Sequence, residues 1–92
     1  MPLTEKVNFK TPLQRGNRVQ IPKLVRWQFK LEPNQVLKVT VRIYGLVVIS
    51  ETFYAQMGKD GRVVIPKLIL DLLKRDKPSL EGDIMEIILE PS

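Results

Sequence analysis

The sequence contains no cysteine and no histidine. Without thiols or imidazoles the chain forms no disulfide, offers neither a thiolate nucleophile nor an imidazole base, and lacks almost every zinc-ligand set. Any metal chemistry would fall to carboxylates alone. Glycine is sparse, five residues in all, and none is arranged as a phosphate cradle or Walker-type loop. No carboxylate pair stands at a motif spacing. Asp60, Glu81 and Asp83 are the candidate ligands among the acids, and turns account for Asp60 and Asp83 better. No apolar run approaches a membrane span, and Met1-Pro2-Leu3-Thr4-Glu5-Lys6 has no hydrophobic stretch behind its charges. These absences predict a cytoplasmic protein that is not an enzyme, carries no cofactor or metal, and has no membrane partner.

What is present is enough apolar material for a core: 43% hydrophobic residues in 92, the size of one ordinary domain. Charge is unevenly divided. Residues 1 to 45 hold nine basic side chains (Lys6, Lys10, Arg15, Arg18, Lys23, Arg26, Lys30, Lys38, Arg42) against Glu5 and Glu32, a net +7, whereas the remainder, with six basic and eight acidic, is −2. A cationic half is a hint of a polyanionic partner and carries no information about fold.

The chain also repeats itself. Arg18-Val19-Gln20-Ile21-Pro22-Lys23-Leu24 and Arg62-Val63-Val64-Ile65-Pro66-Lys67-Leu68 agree at six of seven positions. At the same offset Val7, Phe9, Thr11 and Leu13 fall on Glu51, Phe53, Ala55 and Met57, preserving an alternating inward face except at Glu51. Further on, Leu37-Lys38-Val39-Thr40-Val41 matches Met85-Glu86-Ile87-Ile88-Leu89 if the second copy carries a four-residue insertion around Arg75-Asp76-Lys77-Pro78. The repeats then run over about residues 6–43 and 46–90 of a single barrel domain spanning 1–92.

Within each copy, period-two alternation over Val7 to Leu13 and over Leu37 to Ile43 predicts strands with one buried face. Gly16-Asn17 and Asp60-Gly61 tolerate positive φ and predict hairpins before the Arg-Val strands. Pro22 and Pro66 suit the first position of a helix. The helices should run to about Phe29 or Lys30 and to about Lys74 or Arg75, stopped by Pro33 and Pro78. Only Tyr44-Gly45 separates Ile43 from Leu46, which predicts a tight hairpin between the copies and excludes separate domains. Neither copy alone would bury enough surface, so the two should interlock into one closed sheet without exposed edges.

Gly61-Arg62-Val63-Val64-Ile65-Pro66-Lys67, followed by an apolar helix and then Leu80-Glu81-Gly82-Asp83-Ile84-Met85-Glu86-Ile87, resembles the AbrB/MazE/SpoVT family of swapped-hairpin proteins. In that family one copy per chain is usual and two chains interlace. The resemblance therefore implies a mainly β, monomeric fold: a closed six-stranded cradle-loop barrel, RIFT-like or double-psi-like, from two pseudo-twofold ββαβ repeats with two short helices. Among these it looks like an archaeal tandem-repeat member of the RIFT type. One departure is that Pro33-Asn34-Gln35-Val36 replaces the family's Gly-Asp turn in the first copy, so the strand crossing on that side is open.

Members of the family mostly bind DNA as transition-state regulators or antitoxins, through basic residues of turn and helix. Carried over by position, the turn arginine is Arg18 and Arg62 and the helix arginine is Arg26; the second copy has Leu70 there, followed by Asp71. Lys10, Arg15, Arg18, Lys23, Arg26, Arg62 and Lys67 are the candidate nucleic-acid-binding residues, with the first repeat dominant. Each has a plainer reading: Arg18 and Arg62 as exposed strand residues, Lys23 and Lys67 as first-turn surface lysines; Trp27, beside Arg26, reads first as a residue packed partly into the core, with a stacking or interface residue as the alternative. Lys38, Arg42, Glu86 and Glu90 read as a solvated face of mixed charge. The functional expectation is a DNA-binding, transcription-regulator-like or chromatin-like protein contacting phosphates of duplex DNA. The alternative is a non-enzymatic barrel that has lost DNA binding and takes a protein partner. An enzyme, by resemblance of cradle-loop barrels to archaeal CTP-dependent riboflavin kinases, has no motif in its favour.

Overall fold

The computed structural model describes residues 6–44, 48–74, 80 and 82–91. Six strands and two short helices follow in the order β1 (Val7–Pro12), β2 (Arg18–Gln20), α1 (Lys23–Gln28), β3 (Val36–Ile43), β4 (Ile49–Gln56), β5 (Arg62–Val64), α2 (Lys67–Leu73) and β6 (Ile84–Pro91). The fold is mainly β. Alternation sets the buried face: Val7 and Thr11 of β1, Leu37, Val39 and Val41 of β3, and Met85, Ile87 and Leu89 of β6 are all buried, and the longer apolar side chains among them form one core with Val19, Ile21, Val63 and Ile65. The radius of gyration is 12.6 Å, close to the roughly 12 Å of a compact chain of this length.

The strands form two ladders, a four-stranded antiparallel sheet ordered β1-β6-β3-β4 and a two-stranded antiparallel ribbon of β2 and β5. Each of the four pairings joins a strand of the first repeat to one of the second. The register reveals a twofold relation. In the ribbon Val19 lies opposite Val63, its own counterpart at an offset of 44. In the central sheet Thr40 lies opposite Ile88, its counterpart at an offset of 48. The axis therefore runs through both pairs, between the two members of each. The four extra residues were assigned to Arg75-Asp76-Lys77-Pro78, which lie outside the described residues.

Backbone hydrogen bonds obey the same symmetry. The Ile21 N–H donates to the Gly61 carbonyl at 2.9 Å and the Ile65 N–H to the Asn17 carbonyl at 2.7 Å; the Gln14 N–H donates to Arg18 at 2.7 Å and the Gly58 N–H to Arg62 at 2.9 Å. The Gly16-Asn17 and Asp60-Gly61 turns thus reverse the chain as expected, with Gly16 at φ 84°, Asn17 at 59° and Gly61 at 82°. They do not open into extended hairpins. Beyond the isolated Gln14–Arg18 bridge, β2 finds its ladder partner in β5 across the repeat boundary.

Two further expectations change. The ladder between β3 and β4 ends at Ile43 opposite Ile49, so the connection between copies spans Tyr44 to Val48 and is longer than the Tyr44-Gly45 turn; Gly45 and Leu46 lie outside the described residues. Pro22 and Pro66 sit at the N-cap with ψ near 140° rather than one position later. Their carbonyls accept the first helical bonds, from Arg26 at 3.1 Å and Leu70 at 3.2 Å.

The altered turn at Asn34-Gln35 retains the geometry of its counterpart. Asn34 has φ 68° where Gly82 has φ 85°. The Gln35 N–H donates to Glu32 at 3.2 Å as the Asp83 N–H does to Leu80 at 2.9 Å, and Asn34 bonds to the Met57 carbonyl as Gly82 does to that of Leu13. Asn tolerates the left-handed region because its short polar side chain has little to clash with there.

The helices differ in how firmly they are held. α2 packs on β4 and buries Leu70 and Leu73. α1 buries no residue completely, although Val25 and Phe29 lean on the core. It ends in a Schellman motif: the Leu31 N–H donates to Arg26 at 2.9 Å and the Lys30 N–H to Trp27 at 3.3 Å. Lys30 occupies the position where glycine is usual, at φ 53°. No helix among the described residues is long and apolar enough to cross a membrane.

Candidate nucleic-acid interface

The ribbon presents Val19 and Val63 to the core, so Arg18, Gln20, Arg62 and Val64 lie on its other face. The register sets Gln20 opposite Arg62 and Arg18 opposite Val64. At one end of this face the Asp60-Gly61 turn of the second repeat meets α1 of the first. The Arg26 guanidinium lies so close over Gly61 that a Cβ there would overlap it. Gly61 is buried by this contact, and its φ of 82° is itself a reason for glycine. Gln20 Nε2 donates to the Asp60 carbonyl at 2.9 Å, tying the same turn to β2.

Electrostatically the two arginines at this turn are unequal. Arg62 Nη1 meets Asp60 Oδ2 at 3.0 Å, and the Arg62 N–H donates to Asp60 Oδ1 at 3.2 Å. The Asp60 carboxyl is held below the ordinary carboxylate range, chiefly by that backbone N–H, against an opposing cost of desolvation, with the guanidinium charge adding to the lowering. Arg26 has no such partner: among the described residues no acceptor reaches its guanidinium, and its Nε is buried and unpaired, as is Nε of Arg62. A buried unmade hydrogen bond costs about 1–3 kcal/mol, so this end of the ribbon holds donors without acceptors.

Pairing differs in degree between the repeats, since Lys59 and Lys67 of the second also have no carboxylate within ion-pair reach among the described residues. Among the described residues no carboxylate lies within ion-pair reach of Arg15, Arg18, Lys23, Arg26 or Lys30, all on the turn and helix of the first repeat. In the second repeat Arg62 is paired with Asp60, and Lys74 with Asp71 at 3.5 Å. Arg18 Nε donates only to the Arg15 carbonyl, at 3.4 Å, a long bond on the surface. Lys23 and Lys67, counterparts at the helix starts, are both exposed.

Of the sequence-predicted residues, then, Arg26 and Arg62 meet at one turn, and Arg18 and Arg15 meet at the turn of the first repeat. Lys10 belongs elsewhere. It lies on β1 in register with Glu86, with its ammonium 5.9 Å from the centre of the Tyr44 ring. Arg42 Nη1 bonds Glu86 at 3.2 Å and the Tyr44 hydroxyl donates to the same carboxylate, so Lys10 joins a cluster of two cations and one carboxylate on the outer face of the sheet. Lys38 lies opposite Glu90 on that face. The face of mixed charge is thus ordered in cross-strand pairs.

Trp27 does not pack into the core. Val25 and Phe29 take the inward stripe of α1, and Trp27 points away with 77% of its surface exposed. Gln20 was missed as a site residue, although a signal for it existed: it is the one position of seven at which the repeats differ, standing where the second copy has Val64. Leu70, at the position of Arg26, is buried, so the second helix keeps an apolar side chain where the first places a cation.

The chain is similar over 99% of its length to the solution structure of PHS018 from Pyrococcus horikoshii, at 27% identity and a TM-score of 0.80, with 94% of that chain covered. No family model matches the chain, and no curated protein does. The similarity is one of fold, and the chemistry has to be argued from the residues.

Proposed function

We propose that the protein is a small, non-enzymatic nucleic-acid-binding protein, regulator-like or chromatin-like, that holds phosphates of duplex DNA mainly through its first repeat. In this reading the ribbon of β2 and β5 closes the four-stranded sheet into a cradle-loop barrel of the AbrB/MazE/SpoVT kind, and one chain acts as a cytoplasmic monomer. The observation that carries it is the number of unpaired cations on the turn and helix of the first repeat: Arg15, Arg18, Lys23, Arg26 and Lys30 have no carboxylate partner among the described residues, against Lys59 and Lys67 in the second repeat, where Arg62 and Lys74 are paired. Unpaired cations on turn and helix beside an exposed ribbon are suited to phosphate oxygens, which supply affinity independent of sequence. Fluorescence anisotropy of a labelled mixed-sequence duplex tests it. Binding at low salt should weaken steeply, with a slope of log affinity on log salt of about −4 if four to five phosphates are neutralised. No binding at low salt would refute it.

A second reading has its own observation. Leu24 and Leu68, counterparts in the two helices, are 73% and 69% exposed, and Leu72 and Val64 are exposed with them. Such side chains suit a protein partner. Recovery of one specific protein from nuclease-treated extract, with no duplex binding, favours this reading over the first.

A further inference from the structure

The segment Lys23–Lys30 carries three cations, Lys23, Arg26 and Lys30, and holds no acidic residue. Within it Trp27 is 77% exposed, and Leu24, one helical turn before it, is 73% exposed. Trp27, Gln28 and Lys30 line an open depression of about 360 Å³. A tryptophan this exposed contributes nothing to the core, and its apolar ring is left in water. Lys30 compounds the oddity, since it keeps a lysine at φ 53° in a cap that glycine would occupy without strain.

We propose that Trp27 is a stacking platform for an unpaired nucleobase, so that single-stranded nucleic acid is the preferred ligand of the first-repeat surface. This rests on the phosphate-binding part of the reading above and moves the preferred ligand from the duplex to the single strand. The ring offers a flat apolar face to a base, Gln28 an amide for a base edge, and Lys23 and Lys30 ammonium groups for the flanking phosphates. Charge complementarity decides the occupant: an apolar protein partner would have to bury Lys23, Arg26 and Lys30 without acids of this chain to offset them. In a closed duplex the bases are stacked on one another and present no free face. The second repeat cannot form an equivalent site, because it has Asp71 in the position next to Leu70 where the first has Trp27 next to Arg26.

Trp27 is the chain's only tryptophan, so its fluorescence reports this site without labelling. The full chain is titrated at low salt with a thymidine oligonucleotide, with a duplex of equal length and with inorganic polyphosphate, following both tryptophan emission and competition against a labelled oligonucleotide. Expected are saturable quenching by the single strand, tighter binding of it than of the duplex, and little emission change with polyphosphate. Trp27→Ala should weaken the single strand by about 5- to 100-fold and leave polyphosphate unaffected, while Trp27→Phe retains most of the affinity. Lys30→Gly should weaken the single strand although it relaxes the backbone. Duplex binding with no quenching, or Trp27→Ala binding the oligonucleotide as the unsubstituted protein does, overturns the stacking proposal and leaves the phosphate reading standing. Binding of no nucleic acid at all overturns both.

Discussion

Asp60 and Gly61 show how single residues set the ribbon's end. Gly61 has φ 82° and the Arg26 guanidinium over its Cα, so Gly61→Ala places a side chain in the left-handed region and displaces Arg26. A loss of about 1–2 kcal/mol is expected from the backbone alone, read as a lower urea midpoint with unchanged slope. Asn34→Gly, at φ 68°, should be neutral to slightly stabilising by the same logic. Asp60 gives a pH prediction. Its folded pKa is depressed, so its contribution is whole above the ordinary Asp value of about 3.9 and is lost as pH falls through the lower folded value. The urea midpoint of Asp60→Asn should lie below that of the unsubstituted protein at neutral pH, and the gap should close in acid. None of the positive-φ demand at Asn34 was legible from residue type, because Asn serves turns of several kinds. Only the matched hydrogen bonds identify it as the equal of Gly82.

For whole elements, the two helices are the informative comparison. α2 buries Leu70 and Leu73 against β4, so Leu73→Ala should cost about 2–5 kcal/mol. Leu24→Ala on α1, at a side chain 73% exposed, should stay within about 0.5 kcal/mol. Thermal melts of the two variants check the contrast. The helices themselves were readable, since Pro22 and Pro66 follow β-branched strands and Pro33 bounds the first. The facing of α1 was not. It carries two apolar stripes, Leu24 with Trp27 and Val25 with Phe29, and periodicity cannot choose between them; tertiary contact does, and it selects Val25 and Phe29. The partner of β2 was equally hidden. A three-residue strand after a Gly-Asn turn signals a local hairpin, whereas its ladder is made 44 residues away with β5.

Across the whole molecule, the duplication was legible to the level of register. Aligning the copies at 44 and then at 48 puts Val19 on Val63 and Thr40 on Ile88, and those are the pairs through which the twofold axis runs. What symmetry could not tell is where it is broken. Arg26 against Leu70, Gln20 against Val64 and Trp27 against Asp71 all concentrate polar or aromatic chemistry beside unpaired cations in the first repeat. Arg62, by contrast, is held by Asp60. The uneven charge of the chain thus falls at both ends of the ribbon, with Arg26 over the Asp60-Gly61 turn and Arg15 with Arg18 at the turn whose Asn17 carbonyl accepts from Ile65. The decisive measurement is the salt dependence of nucleic-acid affinity for two paired variants, Arg18→Ala with Arg26→Ala in the first repeat and Arg62→Ala with Lys67→Ala in the second. The first pair should lose most of the affinity and flatten the slope by about two, while the second pair should change both much less. Equal losses from the two pairs, or a salt slope unmoved by the first, would contradict a first-repeat site.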